Sequence, residues 1–211
     1  MIRELDPIEA RVLGSLLEKQ QATPESYPLT LNALLLACNQ KTSREPVSDY
    51  SEAEIEDALA RLQREKLVWK VTGGRVARWD HNFEGALEIS RESKALLTVM
   101  LLRGPQTLAE LRTRTDRLHE FESTEEIETN LRVLSRREEP LVRQLERQPG
   151  QKEPRWAHLL SGEPAIPAYE EPPARVRQSA GSGLEDRIAA LEESVAKLAD
   201  ELSELRRNLG A

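Results

Sequence analysis

Apolar residues recur at helical spacing from the start of the chain. Ile8, Val12, Leu13, Leu16 and Leu17 form one stripe that fades into the polar pair Gln20-Gln21. Asp6 is placed to cap this helix, Pro7 suits its first position, and Glu9 sits where a capping box needs its acid. A second helix is expected from about Thr30 to Gln40, with Leu31, Leu34, Leu35 and Cys38 on one face. A third opens at Ser51, has Glu54 three residues on, and buries Ile55, Ala58, Leu59 and Leu62. The period then changes. Leu67-Val68-Trp69-Lys70-Val71 reads as a strand, Thr72-Gly73-Gly74 as a hairpin turn, and Val76-Ala77-Arg78-Trp79 as the returning strand. Three helices followed by a two-stranded ribbon is the order of a winged helix.

The same order occurs twice. SEAEIEDALARL (51–62) aligns without gaps on STEEIETNLRVL (123–134), preserving the cap, the capping-box acid and the apolar stripe. TLNALL (30–35) answers TLAELR (107–112), and LVWKV with RVARW answers LVRQL with EPRWAHL. The segment from Ser90 to Arg103 supplies another first helix, stopped by Gly104-Pro105. Chance likeness between amphipathic helices does not explain four correspondences in one order, so the pattern indicates duplication. The fold class expected is mainly α with small β-hairpin wings, an α+β arrangement. It comprises winged-helix domains over 1–82 and 83–161, a Pro/Gly/Ala linker over 162–183, and a heptad helix over 184–210.

Within that last helix Leu184, Ile188, Leu191, Val195, Leu198, Leu202, Leu205 and Leu209 alternate spacings of four and three. Branched residues at a with leucine at d favour a parallel dimer, and Arg187 opposite Glu192 and Glu201 opposite Arg206 would be attractive flanking pairs. These eight residues are the dimerisation candidates, for a homodimer through the C-terminal coil. A coil of under four heptads is marginal alone. The other reading, an amphipathic helix folded back on its own chain, stays open.

The stretch LDPIEARVLGSLLEKQQATPESYPLTLNALLLACNQKTSREPV (5–47) closely resembles the YceH family of bacterial proteins, and the likeness continues through SEAEIEDALARL to Arg78-Trp79. It covers at least the first 160 residues, and the run from Tyr27 to Val47 is its most specific part. The resemblance implies a bacterial cytosolic protein of tandem winged helices. It carries no catalytic or binding residue across.

Composition narrows the chemistry. There are 30 Lys+Arg against 37 Asp+Glu, for a net charge of −7 and a pI near 5.3. That is the wrong sign for a generally basic phosphate-collecting surface. Aromatic residues are 4%, too few for a base-stacking platform. One cysteine excludes an internal disulfide framework and a cysteine-rich zinc site. No apolar run approaches the roughly 20 residues of a membrane span. The start MIRELDPIEARVLG lacks a signal-peptide layout, so a cytoplasmic protein is expected. There is no phosphate loop, no His-Glu-x-x-His and no dinucleotide fingerprint. His81, His119 and His158 are scattered, and Cys38 reads as a small buried thiol. No catalytic residue, cofactor, metal or membrane contact is expected.

Duplex DNA and a protein partner remain as competing ligands. A winged helix usually lays its third helix in the major groove. In the first domain that helix turns Ala53, Asp57, Ala60 and Arg64 outward, flanked by Glu52 and Glu56, with Lys41, Arg44 and Arg75 as the obvious cations nearby. Acids there repel phosphate, which makes Glu52, Glu56 and Asp57 candidates for a protein interface. The second domain turns Thr129, Arg132 and Arg136 outward, has Arg112, Arg114 and Arg117 on or after its second helix, and carries Arg143 and Arg147 on its wing. These eight are the nucleic-acid candidates. Residues 161–211 hold 6 basic and 10 acidic residues, so much of the net charge lies outside the two domains. The function expected is a dimeric DNA-binding regulator using the second domain. The alternative is a protein-interaction scaffold without DNA binding.

Overall fold

The first helix, α1 (Pro7–Ala22), begins as its cap dictates. The Asp6 side chain accepts the N–H groups of Ile8 and Glu9, and Glu9 returns the bond to the Asp6 N–H. Strand β1 (Leu29–Thr30) leads into α2 (Leu31–Cys38), capped by Thr30. This helix ends two residues earlier than its periodicity suggests, at Asn39, whose side-chain amide is drawn off to the Tyr50 backbone. Helix α3 (Glu52–Arg64) has the Ser51–Glu54 capping box and buries Ile55, Ala58, Leu59 and Leu62. The computed structural model describes residues 3–147 and 150–164. The heptad helix, with all eight dimerisation candidates, and the linker beyond residue 164 lie outside the described residues.

Strands β2 (Val68–Val71) and β3 (Arg78–His81) pair with Val71 opposite Arg78. The returning strand thus starts two residues later than its sequence suggests, and the turn lengthens to residues 72–77. The reason lies across the sheet, because β3 is its centre, in the order β1-β3-β2. Trp79 must face Leu29 on one side and Lys70 on the other, and the Arg78 guanidinium donates to Pro28 O at 2.6 Å. Val76 is left in the turn, 62% exposed.

A short helix, α4 (Phe83–Leu87), which the sequence pattern does not announce, seats Phe83 in the core. Then come α5 (Arg91–Arg103), capped by Ser90 and ended by Gly104 at φ +71°, α6 (Leu108–Thr115), capped by Thr107, and α7 (Thr124–Ser135), capped by Ser123. Strands β4 (Val142–Gln144) and β5 (Trp156–His158) close the described chain. The second half repeats the first in register. Leu29 faces Trp79 and Gln106 faces Trp156; Val68 faces His81 and Val142 faces His158. The described residues make a mixed α/β structure of seven α-helices and small antiparallel sheets, with no barrel.

Helices α1 and α5 pack on each other, which a single apolar stripe on each would not require. Residues 9–17 of α1 and 93–102 of α5 are all buried. Gly14 permits the approach: a Cβ there would lie 2.9 Å from Leu102 Cδ2 and 3.1 Å from Leu101 Cβ. The charged residues trapped at the ends of this wrapping find partners, whereas the buried Ser15 hydroxyl makes no hydrogen bond. Glu9, fully buried, is bonded by Arg3 and Arg61, while the Lys94 ammonium meets Glu84 and Gln20 Oε1, each at 2.9 Å. Further bonds tie the halves, from Leu5 N–H to Leu160 O (2.8 Å) and from Glu45 N–H to Leu102 O (2.9 Å). All the described residues fall within one compact unit.

Candidate nucleic-acid and protein interfaces

The outward face of α3 matches its pattern: Glu52, Glu56 and Asp57 are exposed, and Asp57 is bonded to Arg61. Arg44 is not a surface cation. Its side chain is fully buried, gripping Glu18 with bonds of 2.6 and 3.0 Å and donating to the Ala37 and Ser43 carbonyls. Arg11, also buried, donates to the carbonyls of Cys38 and Pro46 and to Ser48 Oγ. Two arginines therefore staple the 39–50 loop from inside, which withdraws positive charge from the surface near α3. Burial pushes the Cys38 thiol up to about 11, so it stays protonated at neutral pH.

The hairpin of the same half has an apolar exterior that charge-based reading misses. Trp69 and Val71 share one face of β2 and are 42% and 37% exposed, with Val76 beyond them in the turn. Strand β2 is the sheet edge, so one row of its backbone groups has no neighbouring strand. Lys70 points the other way, its ammonium 5.8 Å from the Trp79 ring centroid. The period-two placing of Trp69 and Val71 was the available signal.

In the second half the candidate cations separate into groups. On α7, Thr129 donates its hydroxyl to Glu125 O at 2.8 Å, Arg132 is paired with Glu128 at 2.7 Å, and Arg136 is exposed at the C-cap. Val133, between these arginines in sequence, is 60% exposed. Arg112 donates to Glu122 O at 3.3 Å, and Arg143 is paired with Glu163. Arg147 is exposed. Arg114 is bonded to Gln106 and shares Glu110 with Arg155. Such surface pairs are worth only about 0–1 kcal/mol, so a phosphate could displace them. The displaced carboxylates would nonetheless stay beside it.

Arg114 and Arg117 have a different setting. They line a cavity of about 490 Å³ together with Lys19 and Glu18 of α1, the 40–43 loop, and Arg103 of α5. Arg103 and Lys19 carry a weaker signal in the sequence: each is the basic residue of a helix's last turn.

The two register-matched histidines are buried groups of another kind. Burial, with Lys94 nearby, lowers His81 to about 4, and burial alone does the same to His158. His81 Nδ1 accepts the Phe83 N–H at 3.3 Å, while its Nε2 is buried with no hydrogen-bond partner. Beside it the Tyr27 hydroxyl donates to Asp80 Oδ1 (2.7 Å) and accepts the His81 N–H (3.1 Å), and burial raises the Tyr27 pKa. Among the described residues no three His, Cys, Asp or Glu side chains are grouped to hold a metal ion. Nor is any described helix long and apolar enough to cross a membrane.

Comparison with known proteins supplies the family. A family model described as "Protein of unknown function, DUF480" matches residues 5–151. The chain belongs to this family. Its DUF480 relatives include a UPF0502 protein of Paraburkholderia phymatum, 47% identical over 211 residues, covering 95% of this chain and 90% of the relative. Another from Cellvibrio japonicus is 47% identical over 204 residues, covering 95% and 94%. A third, from Pseudomonas putida, is 50% identical over 189 residues, covering 88% and 86%. The resemblance to the YceH family is consistent with this membership, and the matched span takes in both halves of the DUF480 fold up to β4.

Proposed function

We propose that this protein is a non-enzymatic tandem winged-helix module, with domains over 1–82 and 83–161, that docks a protein partner through its first domain. The observation that carries the reading is the apolar exterior of the first hairpin, where Trp69, Val71 and Val76 are exposed beside an open strand edge. An acidic α3 surface at Glu52, Glu56 and Asp57 adds a preference for a partner with basic character. Pairing of two chains through the 184–210 heptads would present two such surfaces.

A second reading, duplex DNA held by the second domain, is favoured by Arg112, Arg117, Arg136 and Arg147, which have no carboxylate bonded to them among the described residues. It is opposed by the carboxylates that hold Arg114, Arg132 and Arg143. One experiment separates the two. Cross-linked pull-downs with the full chain, treated with nuclease, should retain a specific protein that is lost with Trp69→Ser plus Val76→Ser and weakened by Glu52→Lys plus Glu56→Lys. Recovering only nuclease-sensitive partners would overturn the protein reading in favour of DNA.

A further inference from the structure

We propose that the cavity between α1, the 40–43 loop, α5 and α6 is a binding site for a small phosphorylated anion. This inference does not depend on which macromolecule the two domains meet.

Four cations line the cavity: Lys19, Arg103, Arg114 and Arg117. The single carboxylate in its wall, Glu18, is already held by both terminal nitrogens of the buried Arg44 and has only a long contact, 3.9 Å, left for Lys19. Arg114 is answered in part by Glu110, 3.6 Å away and shared with Arg155. The Arg103 guanidinium makes no hydrogen bond or ion pair among the described residues, and is answered only at longer range, by Glu18 and Glu45. Burial, and next the proximity of Arg114, push the Arg103 pKa below its ordinary value. Two guanidinium groups thus face one cavity close enough to repel, and a bound anion would relieve that repulsion.

The bland explanation is that basic residues complement helix ends. Lys19, Arg103 and Arg114 do lie in the last turns of α1, α5 and α6. Each helix end carries roughly half a negative charge. Three such ends do not offset four cations when Arg44 already answers Glu18, and Arg117 lies beyond the end of α6.

Neutral donors complete the wall. The side chains of Gln40, Thr42 and Ser43 border the cavity and make no hydrogen bond of their own among the described residues. Guanidinium forks with hydroxyl and amide donors are the chemistry that recognises phosphate oxygens. Val99, Leu102 and Leu118 add an apolar surface suited to the organic body of such a ligand. A volume of about 490 Å³ falls in the size range of small-molecule sites. The wall draws on both halves of the chain, so a bound ligand would brace α1 and its loop against α5 and α6.

Titration calorimetry on the full chain with sodium pyrophosphate, at fixed ionic strength, tests the site. One saturable event per chain is expected. Arg103→Met and Arg117→Gln should each weaken it by roughly tenfold or more, the scale of a lost charge-assisted hydrogen bond. Arg143→Gln, outside the cavity, should leave it unchanged. Arg117 is exposed, so Arg117→Gln keeps the test valid even if Arg103→Met unfolds. The absence of saturable binding, or equal affinity in wild type and Arg117→Gln, would overturn the proposal. Displacement of pyrophosphate by duplex DNA at equal phosphate concentration would also overturn it, assigning these cations to a nucleic-acid backbone.

Discussion

The two halves share an interior and differ in what they show to solvent. At matched positions Leu59 and Leu131 are fully buried, Val68 and Val142 face the paired histidines, and Trp79 and Trp156 face the residue before the cap of α2 and of α6. Outside, the first half presents acids on α3 and apolar side chains on its hairpin. The second presents arginines laced to carboxylates on α7 and its hairpin. Packing tolerates little change of volume or polarity, whereas an exposed position is free to take on a ligand's requirements. The divergence therefore locates the surfaces worth testing.

The largest effect should come from the matched core leucines. Leu59→Ala and Leu131→Ala are each expected to cost about 3 kcal/mol, within the range for leucine truncation in a core. Because α1 and α5 share one interface, both should shift the same single transition in urea, followed by circular dichroism. Two separable transitions would show that the halves fold independently and would break the comparison at its root.

An effect of similar size should come from pH. Folded His81 stays neutral down to about 4, while the unfolded chain takes up a proton near 6.5. Stability that is complete above pH 6.5 is therefore lost as pH falls towards 4, by about 3 kcal/mol for a shift of this size. Urea midpoints measured between pH 7 and 4 should fall less steeply in His81→Phe than in wild type. Identical pH profiles would mean that His81 can be protonated in place.

The helix caps offer the finest comparison. Ser51 accepts the Glu54 N–H and is answered by Glu54, whereas Ser123 accepts the Glu126 N–H while Glu126 bonds the Glu122 N–H instead. Ser51→Ala should cost about 1 kcal/mol and Ser123→Ala no more than that, read from thermal midpoints. The reverse ranking would show that the α7 cap is the tighter one.

Much of the architecture was legible because the deciding interactions are local. Asp6, Thr30, Ser51, Ser90, Thr107 and Ser123 all cap the helices they precede, and the four stripe residues of α3 are all buried. The strand limits were less legible, because β3 takes its register from both neighbours and so begins at Arg78. Helix α4 is too short to display a period. The candidate site divides in the same way. Exposure of Glu52, Glu56, Asp57 and Arg136 followed from helical spacing. The burial of Arg44, the pairing of Arg143 with Glu163 and the meeting of Arg103 with Arg114 and Arg117 depend on segments far apart in the chain.

Local sequence set the order of the longer helices and the two hairpins, the caps, the apolar stripes and the twofold recurrence of the pattern. Each of these is set by neighbours within one or two turns. Packing between distant segments wraps α1 and α5 along their buried stretches, with Gly14 admitting Leu102, and turns Arg44 inward to Glu18. It also brings the cations of three helix ends to one cavity. A helical stripe specifies one face to bury. What covers the opposite face, and which charges meet there, depends on the close packing of elements that the chain order does not make neighbours.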